Sequence, residues 1–461
     1  MKTNPAFLCS SLVLVAVSLV PLWGIAVPQL VDLPEQLAVA KLFAEKVSGE
    51  SALNLEISGY YGYRFFPVFA LAGLRVFGVL GLNPAHLPTA ITAGLVLLNG
   101  VILLAVLKQW TGKDAFNWSW SLALFPLASI YASAFYIGFV NFFPAIPFLI
   151  LTISLAEKWF ESGRSTQLAG FLVSLCLVYV CHPFAFSFWI AWALCRMAVL
   201  LPVRRAIPWL RIAVLGAITS LVVVYHVTQT PSAIGIDNAA APLSQILVPY
   251  AYWLEHRVLP FVAGDFFALE YNGFSTLYAL TMLALTLGSF VHLVLTRSWS
   301  ATPAQLLLTA LLFYILCSLP SEAAIPAPQG VGLAYDLRFA STGPAILMMF
   351  TLVYVFNIEA LHRGPVRRAF GAFCVLCVVV CVLQLVQVRH WFERFDEFAR
   401  PSRPGIAGGG DEVKPRFLSK YHEDGSYIRH YRCLFAANCV PSESWFLSGN
   451  DLGLYPVRLV R

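Results

Sequence analysis

The segment YGYRFFPVFALAGLRVFGVLGL, residues 61–82, is apolar over a length that can reach across a bilayer, yet it carries Arg75 near its middle and Pro67 in its first turns. Whether it crosses decides the side of every later loop. Crossing would place Arg75 deep in hydrocarbon at a cost of about 2.5 to 3.5 kcal/mol on the insertion scale, with Pro67 interrupting the helix start. A re-entrant or interfacial helix avoids both costs. The loop charges agree. With 61–82 left out of the count, Lys108, Lys113, Lys158, Arg164, Arg196, Arg204, Arg205, Arg211, Arg297, Arg363, Arg367 and Arg368 all fall on the side of Lys2. The positive-inside rule makes that side the cytoplasm; counting 61–82 as a span would send the same clusters outside.

The rest of the 461-residue chain defines the class. It is 59% hydrophobic and 12% charged, with a mean hydropathy of +0.74, outside the range of soluble domains. The net charge of +6 is spread over short connections between apolar runs, so orientation in a membrane accounts for it better than a nucleic-acid partner does. Apolar runs long enough to span lie near 7–28, 87–107, 117–136, 141–157, 167–181, 184–201, 208–227, 275–296, 303–320, 339–358 and 368–388. The first ends in GIAVPQLVD, residues 24–32, which offers no convincing small-x-small cleavage site and reads as an uncleaved span. The expected fold is an all-α polytopic membrane protein with about eleven transmembrane helices.

On this topology the external segments are 29–86, 137–140, 182–183, 228–274, 321–338 and the tail from Arg389. Residues 29–86 form an amphipathic or re-entrant region after the first span, and 228–274 a long external loop. Residues 389–416 read as a Pro/Gly linker through RPSRPGIAGGGDEVKPRF, residues 400–417, and 417–461 as a small external module. In an oxidising compartment Cys433 and Cys439, in CLFAANC, are expected to close a small disulfide loop. The other eight cysteines lie inside apolar runs and behave as small hydrophobic residues.

Chemistry is sought among the external polar residues. In VDLPEQLAVAKLF, residues 31–43, Asp32 fits an N-cap, Pro34 the first turn, and Glu35 the third helical position of a capping box. Leu33, Leu37, Ala40, Ala44 and Val47 would then form one apolar face lying on the membrane. Capping uses one or two of about four acceptor positions on a carboxylate, so it does not exclude catalysis. Tyr60, Tyr61, Tyr63 and Arg64 read as an interfacial aromatic belt with a snorkelling arginine, or as a binding edge. Asn141 either satisfies broken backbone or meets a sugar hydroxyl. His182, in CHPFAF, either caps a helix at Pro183 or binds substrate. The 228–274 loop holds Asp237, His256, Arg257, Asp265, Glu270, Tyr271 and Asn272 and could fold over a site as a lid. In VGLAYDLRFASTGP, residues 331–344, Asp336 and Arg338 form a local ion pair, or Arg338 clamps a lipid-linked phosphate. The chain contains no phosphate loop, dinucleotide glycine motif, zinc-type Cys/His set or nucleophile elbow, which argues against nucleotide chemistry.

Three stretches, DLPEQLAVAKLF after span one, YYGYRFFPVFALAGLRVFG, and GFVNFFPAIPFLILTISLAEKW, together with the span layout, resemble the C-type membrane glycosyltransferases, the GT-C superfamily. The resemblance also extends to bacterial membrane proteins of the same plan whose function is open. It covers most of the membrane part, 1–388. It implies transfer of a sugar from a polyprenyl-phosphate donor to a glycan, lipid or protein acceptor of the cell envelope. The reaction would run on the periplasmic or extracytoplasmic face of a bacterial inner membrane. By position Asp32 becomes the general base and Glu35 its neighbour, with Arg338 the phosphate partner. Tyr61, Arg64, Asn141, His182, Asp265, Glu270 and Asp336 complete the substrate-binding candidates. No cofactor is implied, and a divalent cation is left open. One departure stands out: the next external loop offers FYIGFVNFF, with Asn141 and no charge, where such proteins often carry an acid or arginine. Asp265, Glu270 or Asp336 would have to substitute. Competing readings are a non-enzymatic transporter or envelope-assembly protein, in which the acids are only caps, and a polysaccharide ligase or polymerase relying on His182, Arg257 and Arg338.

Overall fold

The computed structural model describes residues 5–25, 28, 30, 33–57, 62–83, 86–112, 118–131, 140–201, 209–229, 273–317, 335–399 and 457–459. Among these the chain is mostly helical. Four helices are long and apolar enough to cross a membrane (Leu87–Thr111, Pro183–Leu200, Thr276–Thr296 and Gly364–Arg394), and several shorter apolar helices accompany them. The elements are α1 (Pro5–Ser18), α2 (Leu33–Ser48), β1 (Leu55–Ile57), α3 (Phe65–Leu80), α4 (Leu87–Thr111), α5 (Leu124–Ala128), α6 (Ala145–Ser162) and α7 (Ser165–Cys181). There follow α8 (Pro183–Leu200), α9 (Trp209–Gln229), α10 (Gly273–Thr296), α11 (Thr302–Cys317), α12 (Tyr335–Phe356), α13 (Gly364–Ala399) and β2 (Val457–Leu459).

Hydrogen bonds and ring contacts sort the helix ends into two groups. At one end, Thr89 at the start of α4 donates to the Ile25 carbonyl (2.8 Å) and the Tyr131 hydroxyl donates to the Ser18 carbonyl (2.6 Å). There too the Arg64 amide donates to the Val180 carbonyl (2.9 Å), and Phe392, late in α13, meets the Tyr131 ring. At the other end, Gln109 late in α4 reaches the Ser154 carbonyl in α6 (3.2 Å), and Arg211, beginning α9, donates to the carbonyls of Trp159 and Phe160. The same end brings His292 late in α10 to the Tyr354 hydroxyl late in α12 (2.9 Å). Gly163 belongs here as well. It ends α6 in the left-handed conformation (φ +68°), and a Cβ on it would run into the Arg211 guanidinium.

α3 packs antiparallel on α4 through glycines: a Cβ at Gly73 would collide with Ile91, and one at Gly94 would press on Phe69. Close approach through small residues is how helices associate where lipid already satisfies apolar surface. Beyond this contact the end of α3 is bare, with Val76, Val79 and Leu80 exposed and Arg75 out of the core. β1 pairs antiparallel with β2, Leu55 opposite Leu459, Glu56 opposite Arg458 and Ile57 opposite Val457. The last residues of the chain thus return to the loop that follows α2.

Several expectations need correction. Of the run expected to span 117–136, residues 118–131 are described, and they form a broken stretch, 3-10 turns at Trp118–Ala123 and Ser129–Tyr131 around the short α5, with most side chains from Trp120 to Tyr131 buried. The run at 7–28 is helical only to Ser18, then tightens into a 3-10 turn at Val20–Leu22 where Pro21 removes a backbone donor. α13 continues through Arg389 to Ala399, so residues 389–399 are not linker: Arg389 pairs with Glu393 one turn on (2.9 Å), and Phe392 is fully buried. α2 does not rest on lipid by one stripe. Leu33, Leu37 and Ala40 join the main core, Val39 and Leu42 join Leu55 in a second small core, and Val47 is exposed, because α3 covers one side of the helix and β1 another. Lys41 on this helix is partly desolvated, which lowers its pKa; Glu45, at 3.8 Å, opposes the shift.

Arg196 is also not a loop charge. It lies in α8 at 5% exposure, its Nε and Nη2 donating to both carboxylate oxygens of Glu157 in α6 (2.5 and 2.9 Å), while Nη1 reaches Gln305 of α11. A buried bidentate pair is costly to break from one side, because the abandoned charge keeps its desolvation penalty. Glu157→Met or Arg196→Met alone is expected to destabilise the detergent-solubilised protein by about 3–5 kcal/mol. The double replacement should recover most of the loss in thermal midpoint.

Candidate functional site

At the end that holds Ile25 and Thr89, four elements converge. α2 starts at Leu33, directly after Asp32, where the capping pattern places a helix start. The chain then enters α3 through Tyr63 and Arg64. Tyr63 has a left-handed backbone (φ +60°), unusual for a residue with a Cβ and costly unless the surroundings hold it. They do: the next amide, that of Arg64, is tied to Val180, and the Tyr63 ring meets His182 edge-on at 4.6 Å.

His182 sits between α7 and α8. It has extended backbone, ends α7 with its amide on the Val178 carbonyl (2.9 Å), and caps α8 by accepting the Phe184 amide on Nδ1 (3.2 Å), with Pro183 at the first helical position. Because Nδ1 accepts, the neutral ring carries its proton on Nε2 and can donate there. Phe142 packs against the same ring at 5.2 Å. Asn141, the preceding residue in the turn before α6, donates from Nδ2 to Gln36 Oε1 on α2 (3.3 Å).

The structure therefore brings Arg64, Asn141 and His182 to one end of the bundle, linked through Tyr63, Phe142, Val180 and Gln36. The last turns of α12 lie at the opposite end, so its first turn belongs to this one. The side chains of Glu35, Asp336 and Arg338 lie outside the described residues. So do Asp32, Tyr61, Asp265, Glu270, Cys433 and Cys439 altogether. Gln36 was not singled out from the sequence, although it stands four residues after Asp32, a spacing that shares a helix face. Among the described residues no three His, Cys, Asp or Glu side chains gather as a metal site.

Comparison of the chain with known protein families, with characterised proteins and with solved structures finds no match. The chemistry of this end has to be argued from its own residues. Capping is the part of it that is settled, and it is measurable. His182→Ala should lower stability by about 0.5–2 kcal/mol through loss of the α8 cap. His182→Asn, which restores an acceptor at that position, should recover most of it in thermal unfolding.

Proposed function

We propose that this protein is an integral membrane glycosyltransferase that takes a sugar from a polyprenyl-phosphate donor at the α2 end of the bundle. The supporting observation is the convergence of Arg64, Asn141 and His182 around the helix that begins directly after Asp32. In this reading Asp32 is the general base for the acceptor hydroxyl and Glu35 tunes it. Arg64 and Arg338 provide permanent positive charge for the donor phosphate, as planar guanidinium groups do well. The acceptor is a glycan, lipid or protein of the envelope.

The same reading carries a topology. In it α1, α4, the 118–131 stretch and α6 to α13 are taken as eleven passes, and α3 as an interfacial helix. The β1–β2 pairing supports an odd number: the loop after the first pass and the tail after the last can meet only if both lie on one side. Were α3 a crossing as well, the tail would emerge opposite β1. The positive-inside rule makes the α2 end external and the other cytoplasmic. A reporter active only outside the cytoplasm, fused after Arg461, is expected to be active; a cytoplasmic signal would make α3 a span.

The catalytic reading is tested at Asp32. Asp32→Asn should abolish transfer of labelled sugar while the protein still inserts and folds, and Asp32→Ser, which keeps a capping oxygen, should be equally inactive. Full activity in the serine variant would reduce Asp32 to a cap and favour a transporter or assembly role.

A further inference from the structure

Several buried side-chain atoms lack a hydrogen-bond partner: Trp110 and Trp189 Nε1, the Tyr225 hydroxyl, the Thr351 hydroxyl and Asn141 Oδ1. The first four are single groups along helix bodies. Asn141 differs, because it lies in a turn at the α2 end, is only 9% exposed, and belongs to a pair. Its Nδ2 donates to Gln36 Oε1, which leaves over the buried Asn141 carbonyl oxygen and the NH2 of the half-buried Gln36, for which no bond is seen among the described residues. Turning both amides over exchanges these roles but leaves one acceptor and one donor side by side.

An occupant must therefore donate and accept at neighbouring atoms. A phosphodiester only accepts, and any phosphate brings negative charge against the carbonyl. An ammonium or guanidinium only donates. A lipid chain does neither. A hydroxyl does both with one atom, and a saccharide presents several at hydrogen-bonding spacing. We propose that Gln36 and Asn141 form a saccharide subsite, the amide pair reading one sugar hydroxyl through a bond from Gln36 Nε2 and a bond to Asn141 Oδ1. This rests on the reading of the α2 end as a sugar-handling site and adds the substrate group and its recognition. The pair contact is long at 3.3 Å, and an incoming hydroxyl takes its place in the network as the Gln36 side chain shifts. Leaving an amide carbonyl unsatisfied in the resting protein is the stability that such a site gives up for ligand binding.

The test uses the full chain in lipid nanodiscs, titrated in the millimolar range with single monosaccharides (glucose, mannose, galactose, arabinose and N-acetylglucosamine) and with inorganic phosphate as control. At least one monosaccharide should raise the thermal midpoint saturably and phosphate should not. Gln36→Glu keeps the oxygen that Asn141 Nδ2 needs but loses the donor, so it should fold as the wild type does and require about five- to tenfold more sugar for half-saturation. Asn141→Leu should lose the sugar-dependent shift. If no monosaccharide acts on the wild type, or if wild type and Gln36→Glu titrate alike, the pair holds ordered water or serves only to tie α2 down, and the proposal falls. Sugar binding without transfer would sink the transferase reading and leave this subsite standing; transfer unaffected by Gln36→Glu would do the reverse.

Discussion

Hydrocarbon offers no hydrogen bonds, so every polar group carried into the bundle must find a partner there or be given up to a ligand. Most of this structure follows from that constraint. Thr92, Thr152, Thr309, Ser289 and Asn99 bond back to carbonyls one turn earlier in their own helices, which lets polar residues sit in apolar helices at little cost. The ion pair of Glu157 with Arg196, buried on both sides, is bidentate and further contacted by Gln305, so three helices are locked at one point. Other polar groups bond between elements at both ends of the bundle, Gln109 with Ser154 and His292 with Tyr354 at one, and Asn141 with Gln36 at the other, where backbone turns replace regular helix.

The same constraint explains α3. Its first half is sealed against α2 and α4, with Phe66, Pro67 and Ala70 buried, and the glycine contact with α4 lets the two backbones come close. Its second half leaves Arg75 and a bare apolar face outside the protein. A helix so divided suits an interface, where the arginine reaches headgroups and the valines reach acyl chains. It would be a poor span, for the reason that raised the question in the sequence.

Long apolar helices were legible because their pattern depends only on composition and length. The expected runs at 87–107, 167–181, 184–201, 208–227 and 275–296 are found as α4, α7, α8, α9 and α10, with ends shifted by a few residues. What the sequence hid depends on partners distant in the chain. Trp118 to Tyr131 reads as a span, but burial among neighbours lets it run as broken 3-10 and α pieces. Arg196 reads as a loop charge, because nothing local reveals that Glu157 waits on another helix. Arg389 to Ala399 looks polar enough to end a helix, yet the Arg389–Glu393 pair and burial of Phe392 carry it further. At the candidate site, Asn141 and His182 drew notice as polar residues at helix breaks, whereas Gln36 looked like one more polar position on an amphipathic helix.

What distinguishes the start of α2 is therefore how firmly it is held. Capping accounts for the spacing of Asp32, Pro34 and Glu35 by itself, and would do so on any helix. The described start of α2, at Leu33, is held from several directions. Leu33, Leu37 and Ala40 are buried in the main core, Val39 and Leu42 pack under β1, the C-terminal strand closes over β1, and Gln36 is tied to the turn before α6. A two-stranded ribbon is marginal alone, so its persistence here depends on α2, and the orientation of α2 depends in turn on the ribbon. Mutual support of this kind holds the first turns of α2 against both the ribbon and the turn before α6. A helix serving only to cover lipid could be held far more loosely.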